Sequence, residues 1–249
     1  MPTKAAKIGF LSNNMLKMIA AICMVCDHVG MLLFPDIPLF RLIGRLAFPI
    51  FGYLIAEGAK HTKNKLRYLL TMAGFATVIQ VGYYLFVHST EMSVMVTFTL
   101  SLTIIFSLDL FKETVFSKHP SAIKIAATAL LFLGTILFAA IMDRVIDLDY
   151  HFYGCLLPVF PALLTTPKVQ NPPMIFKKID QKLPRILATS VGILLLAFEF
   201  GGSQYYGFLA LPLLMLYSEQ RGRLRMKYFF YVFYPLHLIV LYGIAMVIK

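Results

Sequence analysis

Positive charge in this chain gathers in every second gap between its apolar segments. Of 23 Lys and Arg residues, 18 lie in the gaps 1–14, 59–67, 109–124, 165–185 and 219–228, which hold 2, 4, 3, 5 and 4. The intervening gaps 35–41, 88–91, 143–151 and 201–204, with the C-terminal residue, hold 1, 0, 1, 0 and 1. Lys17 and Arg45 sit inside apolar segments. Such alternation is what the positive-inside rule produces when a chain crosses a bilayer repeatedly. It predicts an integral membrane protein with a cytoplasmic N-terminus.

Backbone polar groups must be satisfied inside hydrocarbon, and these runs lack the two-residue alternation of barrel strands. The expected fold class is therefore all-α, a polytopic transmembrane helical bundle of about nine crossings. They fall at about 15–34, 38–58, 66–87, 92–111, 122–142, 152–165, 184–200, 205–218 and 229–248. The sixth and eighth are short and carry Pro158, Pro161 and Pro212. Asp143, Asp147 and Asp149 precede the sixth and a lysine-rich gap follows it, which favours a full crossing there. Gly201-Gly202-Ser203-Gln204 gives the eighth no orienting charge. With no internal repeat or interdomain linker, residues 1–249 read as one domain. Gly52 and Ala56 have the spacing that lets helices approach closely.

Composition agrees. The chain is 59% apolar and 14% charged, against about 25% charged in an ordinary soluble domain. A net charge of +11 raises nucleic acid as a partner. Dispersal of the cations over alternate gaps argues instead for membrane lipids and against nucleic acid. Three cysteines cannot all pair, and Cys23 and Cys26 form a CxxC with no second ligand pair at metal-site spacing. They read as core thiols, and no metal is expected. The first apolar run is long and contains Lys17, Asp27 and His28, so it is expected to be a retained helix and not a cleaved leader.

Ionisable groups are costly in hydrocarbon and mark functional candidates. Lys17 and His28 are eleven residues apart, which brings them within roughly 20° of one helix face over about 16.5 Å. A long anionic ligand fits that spacing, with phosphates at Lys17 and a reactive end at His28. An acyl-CoA has such a shape. Snorkelling to the interface would equally account for Lys17, and a hydrogen-bonded core histidine for His28. Asp27 points about 100° away from His28, and its expected partner is Arg45 at matching depth. Glu57 can pair with Lys60 or His61. The cluster Lys60, Lys63, Lys65 and Arg67 suits lipid headgroups or a nucleotide phosphate. His237, in Tyr234-Pro235-Leu236-His237, is expected near the depth of His28, in a helix that Pro235 can kink. Asp147 and Asp149, beside Tyr150 and His151, could attract a cationic amine, although a solvated loop explains them too.

These same stretches carry a family resemblance. Leu16-Lys17 through Asp27-His28, Arg45-Leu46-Ala47-Phe48-Pro49-Ile50-Phe51 with Glu57-Gly58, Asp149-Tyr150 with Tyr153-Gly154, and Phe230 through Leu238 resemble the TraX family. That family is named for a conjugal-transfer membrane protein that acetylates the N-terminus of pilin. More distantly, the chain is similar to the integral-membrane acyltransferases that include heparan-α-glucosaminide N-acetyltransferase. Those commonly carry a basic residue and a histidine eleven positions apart on the first helix. Here Lys17 stands where Arg is usual, keeping the charge but not the bidentate grip.

The resemblance implies a bacterial cytoplasmic-membrane acetyltransferase using acetyl-CoA as co-substrate. The acceptor would be a peptide, a glycan or a small amine. It implies catalytic roles for His28, Asp27 and His237, and CoA contacts for Lys17, Arg45, Glu57 and His61. Asp149, Tyr150 and Tyr153 would contact the acceptor. The competing expectation is a transporter or export-assembly protein that uses the same buried charges as a substrate or proton pathway.

Overall fold

Pro49 decides the shape of the second apolar segment. It has no N–H, and its ring would collide with the Arg45 carbonyl in a continuous helix. The run expected as one helix over 38–58 is accordingly two, α2 (Pro38–Gly44) and α3 (Ala47–His61), broken at Arg45 and Leu46. This is seen in a computed structural model that describes residues 9–88, 90–222 and 227–248. Before the break lies α1 (Asn13–Leu32), whose N-cap Ser12 accepts a hydrogen bond from the Met15 N–H. After it come α4 (Lys65–Gly82), capped by Asn64, then α5 (Val94–Val115) and α6 (Ala122–Val145). The chain continues through α7 (His151–Leu156), α8 (Val159–Leu163), α9 (Met174–Ile179) and α10 (Lys182–Phe200). A 3₁₀ helix (Gly202–Leu209), α11 (Ala210–Met215) and α12 (Lys227–Ile248) complete it. Among the described residues, extended pairing is limited to two isolated bridges.

Among the described residues, six stretches are long and apolar enough to cross a membrane: Asn13–Leu32, Pro38–His61, Lys65–Leu85, Val94–Val115, Ala122–Val145 and Lys182–Phe200. His151–Leu163 and Val232–Ile248 are shorter apolar helices. The segment expected at 152–165 is divided at Pro158 into α7 and α8, and that at 205–218 is 3₁₀ helix followed by the six residues of α11. α6 shows why the surrounding medium is lipid. At 24 residues it is about 36 Å long, enough for a hydrocarbon core of about 30 Å. Ile123, Leu130, Leu133 and Leu137 all point outward from it. Water would not tolerate that apolar face; acyl chains do. The protein is a helical membrane protein.

The chain folds as two compact units. The first joins residues up to Leu54 with those from Ala197 onward, and the second runs from Ile55 to Leu196. In the first, α1 packs on α2 and α12. A short backbone ladder, Leu11 N–H to the Leu216 carbonyl and Ser218 N–H to the Leu11 carbonyl, ties the two chain portions together. Gly44 lets α2 approach α1 closely, because a Cβ there would overlap the Asp27 carboxylate. In the second unit, α5 is the central helix and buries Leu102, Ile104, Ile105 and Leu108 against Ala139, Leu148, Cys155 and Val159.

Candidate active site

Polar residues in the first unit converge on α1. Asp27 receives two arginines: Arg45 Nη2 donates to Oδ1 at 2.9 Å and Arg41 Nη1 to Oδ2 at 2.7 Å. Arg45 is the C-cap of α2, its N–H bonding the Arg41 carbonyl at 3.1 Å, so the two arginines lie one turn apart on the face turned to α1. The pairing of Asp27 with Arg45 follows the sequence expectation, and Arg41 is an addition to it. Arg45 Nη1 donates in turn to Gln204 Oε1 at 3.1 Å. Gln204 is buried, on the 3₁₀ helix that follows Gly201 and Gly202.

One residue further along α1, His28 meets α12. Its Nδ1 lies 2.9 Å from His237 Nε2, and the rings are 5.1 Å apart. His237 Nδ1 lies 3.1 Å from the Phe233 carbonyl, one turn back on α12. A carbonyl can only accept, so that nitrogen carries the His237 proton. His237 Nε2 is then an acceptor, and His28 must donate to it from Nδ1. The lone pair of His28 therefore resides on Nε2, the usual form of a general base held by an orienting acceptor. His237 is stacked on Phe233 at 5.3 Å, which fixes its ring. Lys17, about three helical turns from His28 on α1, places its Nζ 5.8 Å from the Phe230 ring centroid, a cation–π contact. Lys17 and His28 on α1 thus face Phe230 and His237 on α12.

Glu57 and His61 belong to the second unit. Glu57 is buried and accepts from Arg185 Nη1 at 2.6 Å, and it also lies 2.8 Å from His61 Nε2. Arg185 is completely buried. Around the adjacent α3–α4 turn opens a cleft of about 850 Å³ lined by Lys60, His61, Lys63, Lys65, Lys168 and Glu113, with Phe106 and Leu110 as its apolar part. Lys60 bonds Asp180 at 2.8 Å, and Lys65 pairs with Asp109 and Glu113. Burial alone would raise the Asp180 pKa, but hydrogen bonds from the Lys60 ammonium and the Thr166 N–H outweigh it and hold the carboxyl below its usual range. Lys112 is also buried, its Nζ donating to the carbonyls of Ala162 and Thr165 at 3.2 and 2.7 Å.

Asp149, Tyr150 and Tyr153 lie at the other end of α5 from this lysine cluster. The Asp149 carbonyl accepts from Thr97 Oγ1 at 2.6 Å, and its N–H donates to the Met92 carbonyl. Tyr150 has φ +64° and N-caps α7, on which Tyr153 sits. The site residues expected from sequence thus divide: Lys17, Asp27, His28, Arg45 and His237 are gathered in the first unit, and Glu57, His61, Asp149, Tyr150 and Tyr153 lie in the second. Cys23, Cys26 and Cys155 are free thiols.

The TraX protein family model matches residues 12–245, nearly the full chain. The chain belongs to the TraX family. A probable fimbrial assembly protein, FimC of serogroup H1 from Dichelobacter nodosus, is 26% identical over 94% of this chain and 96% of its own length. An uncharacterized protein of Rickettsia prowazekii is 30% identical over 28% of this chain and 26% of its own length, so the chain spans about a quarter of that relative. No solved structure matches.

Proposed function

We propose that this TraX protein transfers an acetyl group from acetyl-CoA to an amine or hydroxyl acceptor at or across the bacterial cytoplasmic membrane. The observation that carries the reading is the chain His28–His237–Phe233, which leaves one lone pair on His28 Nε2 and a hydrogen-bond acceptor behind the ring. Acetyl-CoA supplies an activated acyl carbon. His28 Nε2 takes the proton of the attacking acceptor, and the resulting imidazolium donates to His237 through Nδ1. Asp27, clamped by Arg41 and Arg45, holds the α1 backbone in register with α2. Lys17 offers a cation to CoA phosphate at the cytoplasmic mouth, where the charge alternation sets the N-terminus. The basic cleft around His61, braced by Glu57 and Arg185, offers phosphate contacts of the same kind. Asp149, Tyr150 and Tyr153 are proposed for the acceptor, which as a peptide N-terminus, a glycan amine or a small amine would suit a carboxylate.

A second reading takes its support from the Dichelobacter relative, whose name speaks of fimbrial assembly alone. On that reading the buried charges brace an assembly component that has no use for acetyl-CoA. Purified protein decides between them. Acetyl-CoA should raise the melting temperature and label an amine acceptor, and His28→Ala should lower transfer by about 10²–10⁴-fold, the range for a lost general base. Absence of any acetyl-CoA stabilisation, or ordinary transfer by His28→Ala, would overturn the enzyme reading.

A further inference from the structure

The turn that follows α10 is built to bury one amide. Gly201 and Gly202 adopt φ +62° and +44°, a region that other residues seldom enter. They swing the chain into the 3₁₀ helix, where the Gln204 N–H donates to the Gly201 carbonyl at 3.0 Å. Gln204 is 2% exposed. A buried glutamine in an otherwise apolar segment demands partners for both halves of its amide. Oε1 has one in Arg45 Nη1. Nε2 has none, and neither has Arg45 Nε, although both atoms are buried.

The imbalance has a definite sign. Both oxygens of Asp27 are already engaged, Oδ1 by Arg45 and Oδ2 by Arg41. Gln204 Oε1 is engaged too. What is left over in the cluster is two N–H donors and one more positive charge than negative, from two arginines against one carboxylate. Donors left without acceptors beside a surplus cation, in a water-poor interior, complement an oxygen on which negative charge develops. His28 follows Asp27 directly in α1, and Asp27 is the carboxylate that holds Arg45, so the base lies one residue from the anchor of these donors.

We infer that Arg45 Nε and Gln204 Nε2 are the oxyanion donors for acyl transfer. The inference rests on the acetyltransferase reading and adds two donor roles to it. The acceptor's lone pair forms a bond to the thioester carbonyl carbon. The carbonyl π pair moves onto its oxygen, where the two N–H groups receive it, while the acceptor proton passes to His28 Nε2. When the oxygen's pair re-forms the carbonyl, the carbon–sulfur bond breaks and the departing thiolate takes the proton from His28. Acetylated acceptor and CoA thiol are the products. Gln204 would then be a catalytic residue.

The test uses full-length protein in detergent with acetyl-CoA labelled with ¹³C at the carbonyl. Isotope-edited infrared spectra should show the bound carbonyl stretch moved to lower frequency, and Gln204→Leu should lose that shift. Thiol release with a free-amine peptide should fall about 10²–10³-fold in the same variant, with acetyl-CoA affinity held within about threefold. Gln204→Glu guards against misfolding. It keeps the volume and faces Arg45 with a carboxylate, so it should melt no lower than wild type yet lose the shift and the turnover. A purely structural glutamine would leave turnover intact in Gln204→Glu, and that result overturns the inference. So does bound acetyl-CoA with an unshifted carbonyl, even with the enzyme reading intact. Failure of acetyl-CoA to bind wild-type protein at all removes the enzyme reading and this inference together.

Discussion

Removing the charge of Glu57 takes the nearest carboxylate from a guanidinium in the protein interior. Arg185 is completely buried and its Nη1 lies 2.6 Å from Glu57 Oε2. Breaking a buried pair from one side costs about 3–5 kcal/mol, because the surviving charge loses its compensation. Asp180 softens the loss, since its Oδ1 is 4.0 Å from Arg185 Nε. The other partner, His61, is more than half exposed and can turn to water. The lower end of the range, about 3 kcal/mol, is therefore expected for Glu57→Gln. For a chain of this size that corresponds to a melting temperature lower by about 6–12 °C. The chain has no tryptophan, but Cys23 and Cys155 are buried free thiols, so a thiol-reactive dye reports unfolding in detergent. Glu57→Leu combined with Arg185→Leu should recover most of the loss, because an apolar pair of similar volume replaces both charges. If Glu57→Gln melts within about 2 °C of wild type, or the double variant is no better than the single, the stranded-charge argument is wrong.

Gly44→Ala would push a methyl into the Asp27 carboxylate; stability should fall by about 1–3 kcal/mol, and calorimetry checks this. Lys112→Met leaves the Ala162 and Thr165 carbonyls without their ammonium donor, and a loss of about 1–3 kcal/mol is expected in the same melting assay. Asp180 has a folded-state pKa below its unfolded one, which lies near about 3.9. Its stabilisation is complete above that value and disappears as pH falls through the folded one, so wild type and Asp180→Asn should melt apart at neutral pH and together in strong acid.

Features of the site that obey helical periodicity were legible in the sequence. Lys17 and His28 share a face because eleven residues make three turns, and Asp27 finds Arg45 because the two lie at matching distances from their helix ends. His237 was expected near the depth of His28, and it is within hydrogen-bonding distance. The rest depends on which helices become neighbours. Arg185 counted as one more cation in a basic gap, yet it lies within α10 and pairs with a residue 128 positions earlier. Arg41, assigned to a gap, shares Asp27 because it lies one helical turn before Arg45, whose N–H still bonds its carbonyl. Pro49 is the residue that signals the break, although the segment reads by hydropathy as one helix over 38–58. Gln204 carried a fainter signal, an amide set between paired glycines and an aromatic run, and its meaning comes only from the arginine 159 residues away.

The pair of imidazoles joins α1 to α12 across 209 residues of sequence. A ribosome that stalls anywhere before α12 therefore releases a chain with a lone histidine in bare hydrocarbon and no relay behind it. Docking of α12 is thus what completes the polar contacts of α1, and a chain cut before α12 presents quality-control proteases with an unmated polar helix.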